Sequence, residues 1–249
     1  MGPSGGPITK DNTSIEYYGT VFVLTESPHS SDVLWAGSDD GRIHVTRDGG
    51  ESWQEVTPGR LPEWAMINSI DVDPFNEGGV YVAATRYKMD DFRPLLYHSD
   101  DWGKSWRAID AGLPDDHFTR VLRADPDQPG LLYAGTERGL YHSRDDGGSW
   151  APLQLNLPIV PITDLQVKGD DLIAATQGRG FWILDDLDVL RTQARDGAPT
   201  GPALYVADTV HRLLAGGRDD DARNAGTNPY PGASLFYYLP PDLEDADEI

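Results

Sequence analysis

The sequence predicts an all-β chain of about four four-stranded units, on three observations. One eight-residue turn occurs three times, each copy follows the same order of strand signals, and the composition favours short strands. The turns are TRDGGESW (Thr46–Trp53), SDDWGKSW (Ser99–Trp106) and SRDDGGSW (Ser143–Trp150). Before them come LWAGS (Leu34–Ser38), YVAAT (Tyr81–Thr85) and LYAGT (Leu132–Thr136), and a fourth copy, LIAAT (Leu172–Thr176), has no turn of this kind after it. With 27 Gly and 19 Pro, tight turns are affordable throughout and long helices are not expected.

The elements follow in order. Each unit reads strand, Pro-containing turn, strand, turn, strand, repeated turn, strand, the Pro turns being LTESP, IDVDP and LRADP ending at Pro28, Pro74 and Pro126. Four strands in roughly 45–50 residues is the repeat length of a β-propeller blade. Blades are placed near 19–57 (a), 66–110 (b), 117–154 (c) and 161–207 (d). In blade d, GFWILDDLDVLR stands where the turn is expected, and ALYVAD (Ala203–Asp208) is expected to supply the fourth strand. Residues 1–18 read as a linker or lead-in. Residues 209–249 read as a linker, poorly ordered from about residue 214, and the start of a truncated β domain whose strand SLFYYLPP has no partner strand following it. Closed propellers have about four to eight blades. An incomplete propeller is therefore expected, with apolar faces on blades a and d left for further blades of the same protein or for a second chain.

The repeated turn has a physical task. Gly50, Gly103 and Gly147 supply positive φ in a tight hairpin between strands 3 and 4. Thr46, Ser99 and Ser143 with Asp48, Asp101 and Asp145 are placed to bond the turn amides. Trp53, Trp106 and Trp150 are expected to be more than about four-fifths buried against their own and the neighbouring blade. Calcium is the alternative for these Asp-rich turns, but none has the length or terminal Glu of an EF-hand loop, so no metal and no cofactor are assigned.

A net charge of −21 disfavours nucleic acid and anionic lipid as partners. The absence of cysteine excludes disulfide and thiolate chemistry. No apolar run is long enough to insert in a membrane, and the first residues carry no signal peptide. Neither His-Glu-x-x-His nor a phosphate-binding Gly loop is present, and an abundance of carboxylates does not by itself make a glycosidase pair.

The pattern S/T-x-D-x-G-x-S/T-W is similar to the Asp-box, or BNR repeat, of sialidases, xyloglucanase-like glycosidases and sortilin-type VPS10 receptors. The phrases EYYGT…LWAGSDDG, DDHFTRV, LYAGTERG and TDLQVKGDDLIAATQGRGFWILDDL resemble large bacterial BNR-repeat proteins of the glycosyl hydrolase-like and sortilin-like kind, over roughly residues 14–191. The resemblance implies a propeller and an extracellular or periplasmic location. It leaves two roles open: a binding or scaffolding segment, or part of a glycoside hydrolase whose catalytic carboxylates are shared with further blades. The sialidase Arg-Ile-Pro signature is missing, and catalytic residues are not assigned.

Blade topology then locates the ligand face. The 1–2 and 3–4 turns share one end of a blade, so the repeated turns mark the face opposite the 2–3 loops and the 4–1 connections. On the 2–3 loop face the candidates are Arg42, Arg86, Arg138 and Arg179, one per blade, with Tyr87, Asp90 and Asp91 in the longest loop. Trp64, His117 and Arg120 come from the 4–1 connections. The arginines suit a carboxylated or sulfated ligand; alternatively they pair with Asp39, Asp90, Asp91, Asp115 and Asp116. The expected partner is a protein, a peptide or a glycan.

Overall fold

A computed structural model describes residues 19–205 and 234–240. They fall into two compact units that divide between Asp185 and Asp186. The lead-in 1–18 and most of the tail from about residue 214 lie outside the described residues.

The first unit is a series of antiparallel sheets in simple up-and-down order. Blade a holds β1 (Val21–Glu26), β2 (Leu34–Ser38), β3 (Ile43–Thr46) and β4 (Gln54–Glu55). Blade b holds β5 (Met66–Val72), β6 (Val80–Arg86), β7 (Asp91–Ser99) and β8 (Arg107–Ala108). Blade c holds β9 (Thr119–Ala124), β10 (Leu132–Thr136), β11 (Gly139–Ser143) and β12 (Ala151–Pro152). Blade d has three strands, β13 (Ile162–Lys168), β14 (Asp171–Thr176) and β15 (Gly180–Leu184).

The blades pack in chain order, a on b, b on c and c on d. Their interfaces are the core. Trp35, Ile43, Ile67 and Val82 fill the a–b junction, and Leu96, Ile109, Leu122 and Leu132 fill the b–c junction. Because β6 and β10 are covered on both faces, they read as unbroken apolar runs rather than alternating ones. The outer strands lack this cover: Val21, Phe22 and Leu24 of β1 are 61%, 55% and 62% exposed, and Phe181 of β15 is 79% exposed. Among the described residues, no strand of blade a is packed on blade d.

Polar bonds cross the first strands. Thr25 Oγ1 donates to Ile70 O, and Ala124 N–H donates to the Asp71 carboxylate at 2.8 Å. Arg123 joins three blades, through Ser69 Oγ at 2.7 Å, Leu165 O at 2.9 Å and Asp164 Oδ1 at 2.8 Å.

Each repeated turn is closed from within. The Asp145 carboxylate accepts from the Ser143 hydroxyl, the Ser149 N–H and the Ser149 hydroxyl, all within 2.7–2.8 Å. The Gly147 N–H donates to Ser143 Oγ at 2.9 Å. Asp101 and Asp48 accept the same three bonds in their own turns. The residue after the Asp and the Gly that follows are both left-handed, at Gly49/Gly50, Trp102/Gly103 and Asp146/Gly147.

Outside contacts differ between the copies, and here one expectation fails. Trp106 Nε1 donates to Val56 O and Trp150 Nε1 to Ile109 O, in each case just beyond the fourth strand of the preceding blade. A Cβ on Gly103 would fall 2.6 Å from Val56, and one on Gly147 2.6 Å from Ile109. Trp150 is buried and Trp106 half-buried, but Trp53 is 43% exposed. Trp53 has no preceding strand to receive it among the described residues, so the burial expected of all three tryptophans fails at the first copy and is fully met at Trp150.

Two further expectations are corrected. The strand at Ala203–Tyr205 does not complete blade d; as β16 it pairs with β17 (Phe236–Tyr238) in the second unit. The run SLFYYLPP therefore has a partner, thirty residues upstream. Residues Asp188–Asp196 form a short helix, α1, where the sequence offered only a substitute for the turn. Within this unit Gln193 Nε2 donates to the Tyr205 hydroxyl at 2.8 Å.

Candidate functional site on the 2–3 loop face

The antiparallel order places the β2–β3, β6–β7, β10–β11 and β14–β15 loops at one end of their blades, opposite the repeated turns. The site is built around the blade-b loop. After β6 the chain makes a single 3-10 turn at Tyr87–Met89, ended by Asp90 in the left-handed region (φ 60°), and re-enters β7 at Asp91. An Asp tolerates this conformation better than most side chains.

This reversal sets two aromatic rings against blade c. Tyr87 stacks on Phe118 at 5.1 Å between centroids, and Phe92 tilts against the same ring at 6.2 Å. Phe118 is buried, Tyr87 half-buried and Phe92 43% exposed, so the row grades from core to solvent. The Arg120 guanidinium lies over Phe118 at 5.2 Å and is held by Glu137 at 2.6 Å.

Beside the aromatic row, Asp91 sits between Arg93 at 2.8 Å and Arg86 at 3.5 Å. Its hydrogen bonds to Arg93 hold the carboxyl below the usual carboxylate range, against the opposing effect of partial burial. Arg86 also donates to Glu63 O at 2.8 Å. Trp64 borders a small cleft with Asp39, Met66, Thr85, Arg86 and Tyr87. Its backbone is left-handed (φ 64°), a conformation that costs a bulky residue on the order of 1–3 kcal/mol.

A second group forms on blade c. His117 Nδ1 lies 2.7 Å from the Tyr141 hydroxyl, and Arg138 pairs with Asp116 at 2.9 Å. Burial, followed by the nearby Asp116 charge, raises the Tyr141 pKa. Arg42 pairs with Glu55 on blade a at 2.6 Å, and Arg179 is exposed on blade d. No hydrogen bond or ion pair joins either of these to the aromatic row among the described residues.

The structure thus brings together Arg86, Tyr87, Asp91 and Arg120, sets Trp64 at their edge, and leaves Arg42 and Arg179 on the outer blades. Of the acids weighed as arginine partners, Asp91 and Asp116 serve, while Asp39 instead accepts the Gly19 and Thr20 N–H groups. Three residues escaped the sequence reading: Phe118, Arg93 and Glu137. Phe118 opens a strand and reads as core; only the stacking shows that it also backs a surface. On the opposite face, one group has metal-ligand spacing, Asp73, His98 and Asp100, with one donor atom from each within 4.8 Å of the others.

Comparison with known proteins defines the class. No family model matches the chain. An oligoxyloglucan-reducing end-specific xyloglucanase of Emericella nidulans is 32% identical over 91 residues, 34% of this chain and 10% of that protein. YCF48 bound to D1 peptide superimposes with a TM-score of 0.51 at 21% identity, over 67% of this chain and 52% of that one. The GH74 xyloglucanase of Xanthomonas campestris gives 0.52 at 19%, over 66% and 28%, and the GH74 enzyme of Niastella koreensis 0.54 at 16%, over 68% and 29%. The chain spans from a tenth to about half the length of these relatives. The fold they share is that of a β-propeller, here a run of consecutive blades.

Proposed function

We propose that this chain is a binding or scaffolding segment of a larger BNR-repeat propeller that recognises a protein, peptide or glycan on its 2–3 loop face. The observation that carries this reading is the graded row Phe118–Tyr87–Phe92, flanked by Arg86, Arg93 and Arg120. Half-exposed rings on a rigid strand pair offer apolar area at low entropic cost, and the flanking arginines and carboxylates offer directional bonds. Peptide recognition has a fold-level parallel in the structure of YCF48 bound to D1 peptide.

A second reading, part of a glycoside hydrolase, is favoured by the 91-residue likeness to a xyloglucanase. It requires two carboxylates placed across a glycosidic bond, at least one of them supplied by residues outside blades a–d. Glycan and peptide arrays probed with the full-length protein, followed by hydrolysis assays, separate the two. Binding without turnover, weakened about tenfold by Tyr87→Ala or Phe92→Ala, supports the first reading. Turnover abolished by an Asp or Glu substitution supports the second and removes the first.

A further inference from the structure

We propose that Asp73, His98 and Asp100 form a divalent-cation site of zinc type, which clamps the 1–2 turn of blade b to its 3–4 turn. One imidazole nitrogen and two carboxylate oxygens are a donor set that suits Zn²⁺, with water completing the tetrahedron.

Blade b differs at this place from its own repeat in blade c. There the corresponding positions are Asp125, His142 and Arg144. The Asp125 carboxylate is fully engaged, by the Tyr133 hydroxyl at 3.0 Å and by the Asp127 and Gln128 N–H groups at 2.9 and 3.0 Å. A built-in cation is also present: burial and then the Arg144 charge push the His142 pKa down. In blade b both features are reversed. The Tyr81 hydroxyl turns away to Asp146 Oδ1 at 2.7 Å, leaving the Asp73 carboxylate one hydrogen bond among the described residues, from Phe75 N–H at 2.8 Å. Position 100 carries a carboxylate in place of the guanidinium.

An unpartnered donor atom points into this gap. His98 is only 1% exposed, and its Nε2 makes no hydrogen bond although it lies 3.2 Å from Asp100 Oδ1. The ring is fixed by stacking on Tyr81 at 4.2 Å. Its other nitrogen, Nδ1, lies 3.4 Å from Asp146 Oδ2 and 2.5 Å from Arg107 NH2. Metal at Nε2 requires the ring proton on Nδ1, donated to Asp146. That is the carboxylate–histidine–metal arrangement, in which the outer carboxylate fixes the tautomer. Arg107 NH2, a donor that cannot remain 2.5 Å from a protonated Nδ1, then shifts wholly onto Asp146, whose carboxylate and main-chain oxygen it already bonds. Ligand atoms around Zn²⁺ lie about 3.4 Å apart at bond lengths near 2 Å. Asp100 Oδ1 already lies 3.2 Å from Nε2, so the remaining closure is of the Asp73 carboxylate toward that pair, from within the 4.8 Å that bounds all three donor atoms.

The test uses the chain freed of metal with EDTA and titrated with zinc sulfate alone. Calorimetry gives stoichiometry and affinity, and histidine ¹⁵N correlation spectra report the ligand. One Zn²⁺ per chain is expected, moving the His98 nitrogens and leaving those of His142 in place. Asp100→Asn should weaken binding at least about tenfold, and Asp100→Arg, which installs the blade-c residue, should abolish it. Asp73→Asn should weaken it similarly. Since Asp73 also holds its turn, the exposed position 100 decides if that variant fails to fold. Absence of zinc binding, zinc bound with His98 unshifted, or unchanged affinity in Asp100→Arg would each overturn the site.

Discussion

The turn at Thr46–Trp53 and the turn at Ser143–Trp150 share their internal hydrogen bonds and differ in what surrounds them. In blade c the Trp, the Gly and the residue after the Asp all reach back to blade b: Trp150 to Ile109 O, Gly147 against the Ile109 side chain, and Asp146 to Tyr81, His98 and Arg107. In blade a, among the described residues, the nearest atom to a Cβ on Gly49 is Asp32 Oδ1 of its own blade, at 3.7 Å, the nearest to one on Gly50 belongs to Trp53 itself, at 3.9 Å, and Trp53 is 43% exposed. The motif therefore encodes two separable things, a self-closing hairpin and a docking surface, and only the second depends on a neighbour.

The largest effect that tests this division is at the tryptophans. Trp150→Ala should cost about 3–5 kcal/mol in chemical denaturation, as for other buried aromatic truncations, while Trp53→Ala should cost under about 1 kcal/mol. Equal losses would show that Trp53 is covered in solution. Next come the glycines. Gly147→Ala combines a left-handed φ of 80° with a contact at 2.6 Å, and should cost about 2–4 kcal/mol. Gly50→Ala carries only the φ strain, and should cost about 1–2 kcal/mol. A smaller loss, about 1 kcal/mol, is expected for Asp145→Ala, because its bonds to the turn are exposed. Ligand binding by that variant should fall only as far as unfolding explains.

The smallest effect is one the copies should share. Hydrogen bonds from Ser52 and Thr46 lower the Asp48 pKa to about 2, and those from Ser105 and Ser99 lower that of Asp101. In Asp145, bonds from Ser149 and Ser143 outweigh a burial effect that acts the other way. A carboxylate depressed by folding stabilises above its unfolded value, here 3.8, and loses that contribution as pH falls through its folded value. Melting temperatures should therefore drop between about pH 4 and pH 2, and Asp→Asn in any one turn should flatten part of that slope. A slope confined to the blade-c turn would mean that the hairpin also needs its neighbour.

Much of this is legible in the sequence. The Pro turns at Pro28, Pro74 and Pro126 and the strand phrases set the blade register, because local turn chemistry and apolar runs need only short-range information. The loop Arg86–Asp91 stood out by its length, and Arg86, Tyr87 and Asp91 do meet there. The role of Phe118 was hidden, since a strand residue that packs inward and one that backs a surface ring carry the same sequence signal.

What the sequence determined by itself was the repeating hairpin: Asp, hydroxyl and Gly at fixed offsets satisfy their own backbone wherever they occur. Only the tertiary structure decided which copies dock and which stay open, that β16 pairs with a strand thirty residues away, and that Tyr81 serves Asp146 and leaves Asp73 and His98 facing each other. The reason is physical. Hydrogen bonds within a turn depend on neighbours in the chain, whereas burial and cross-blade bonds depend on which surfaces meet, and no local pattern states that.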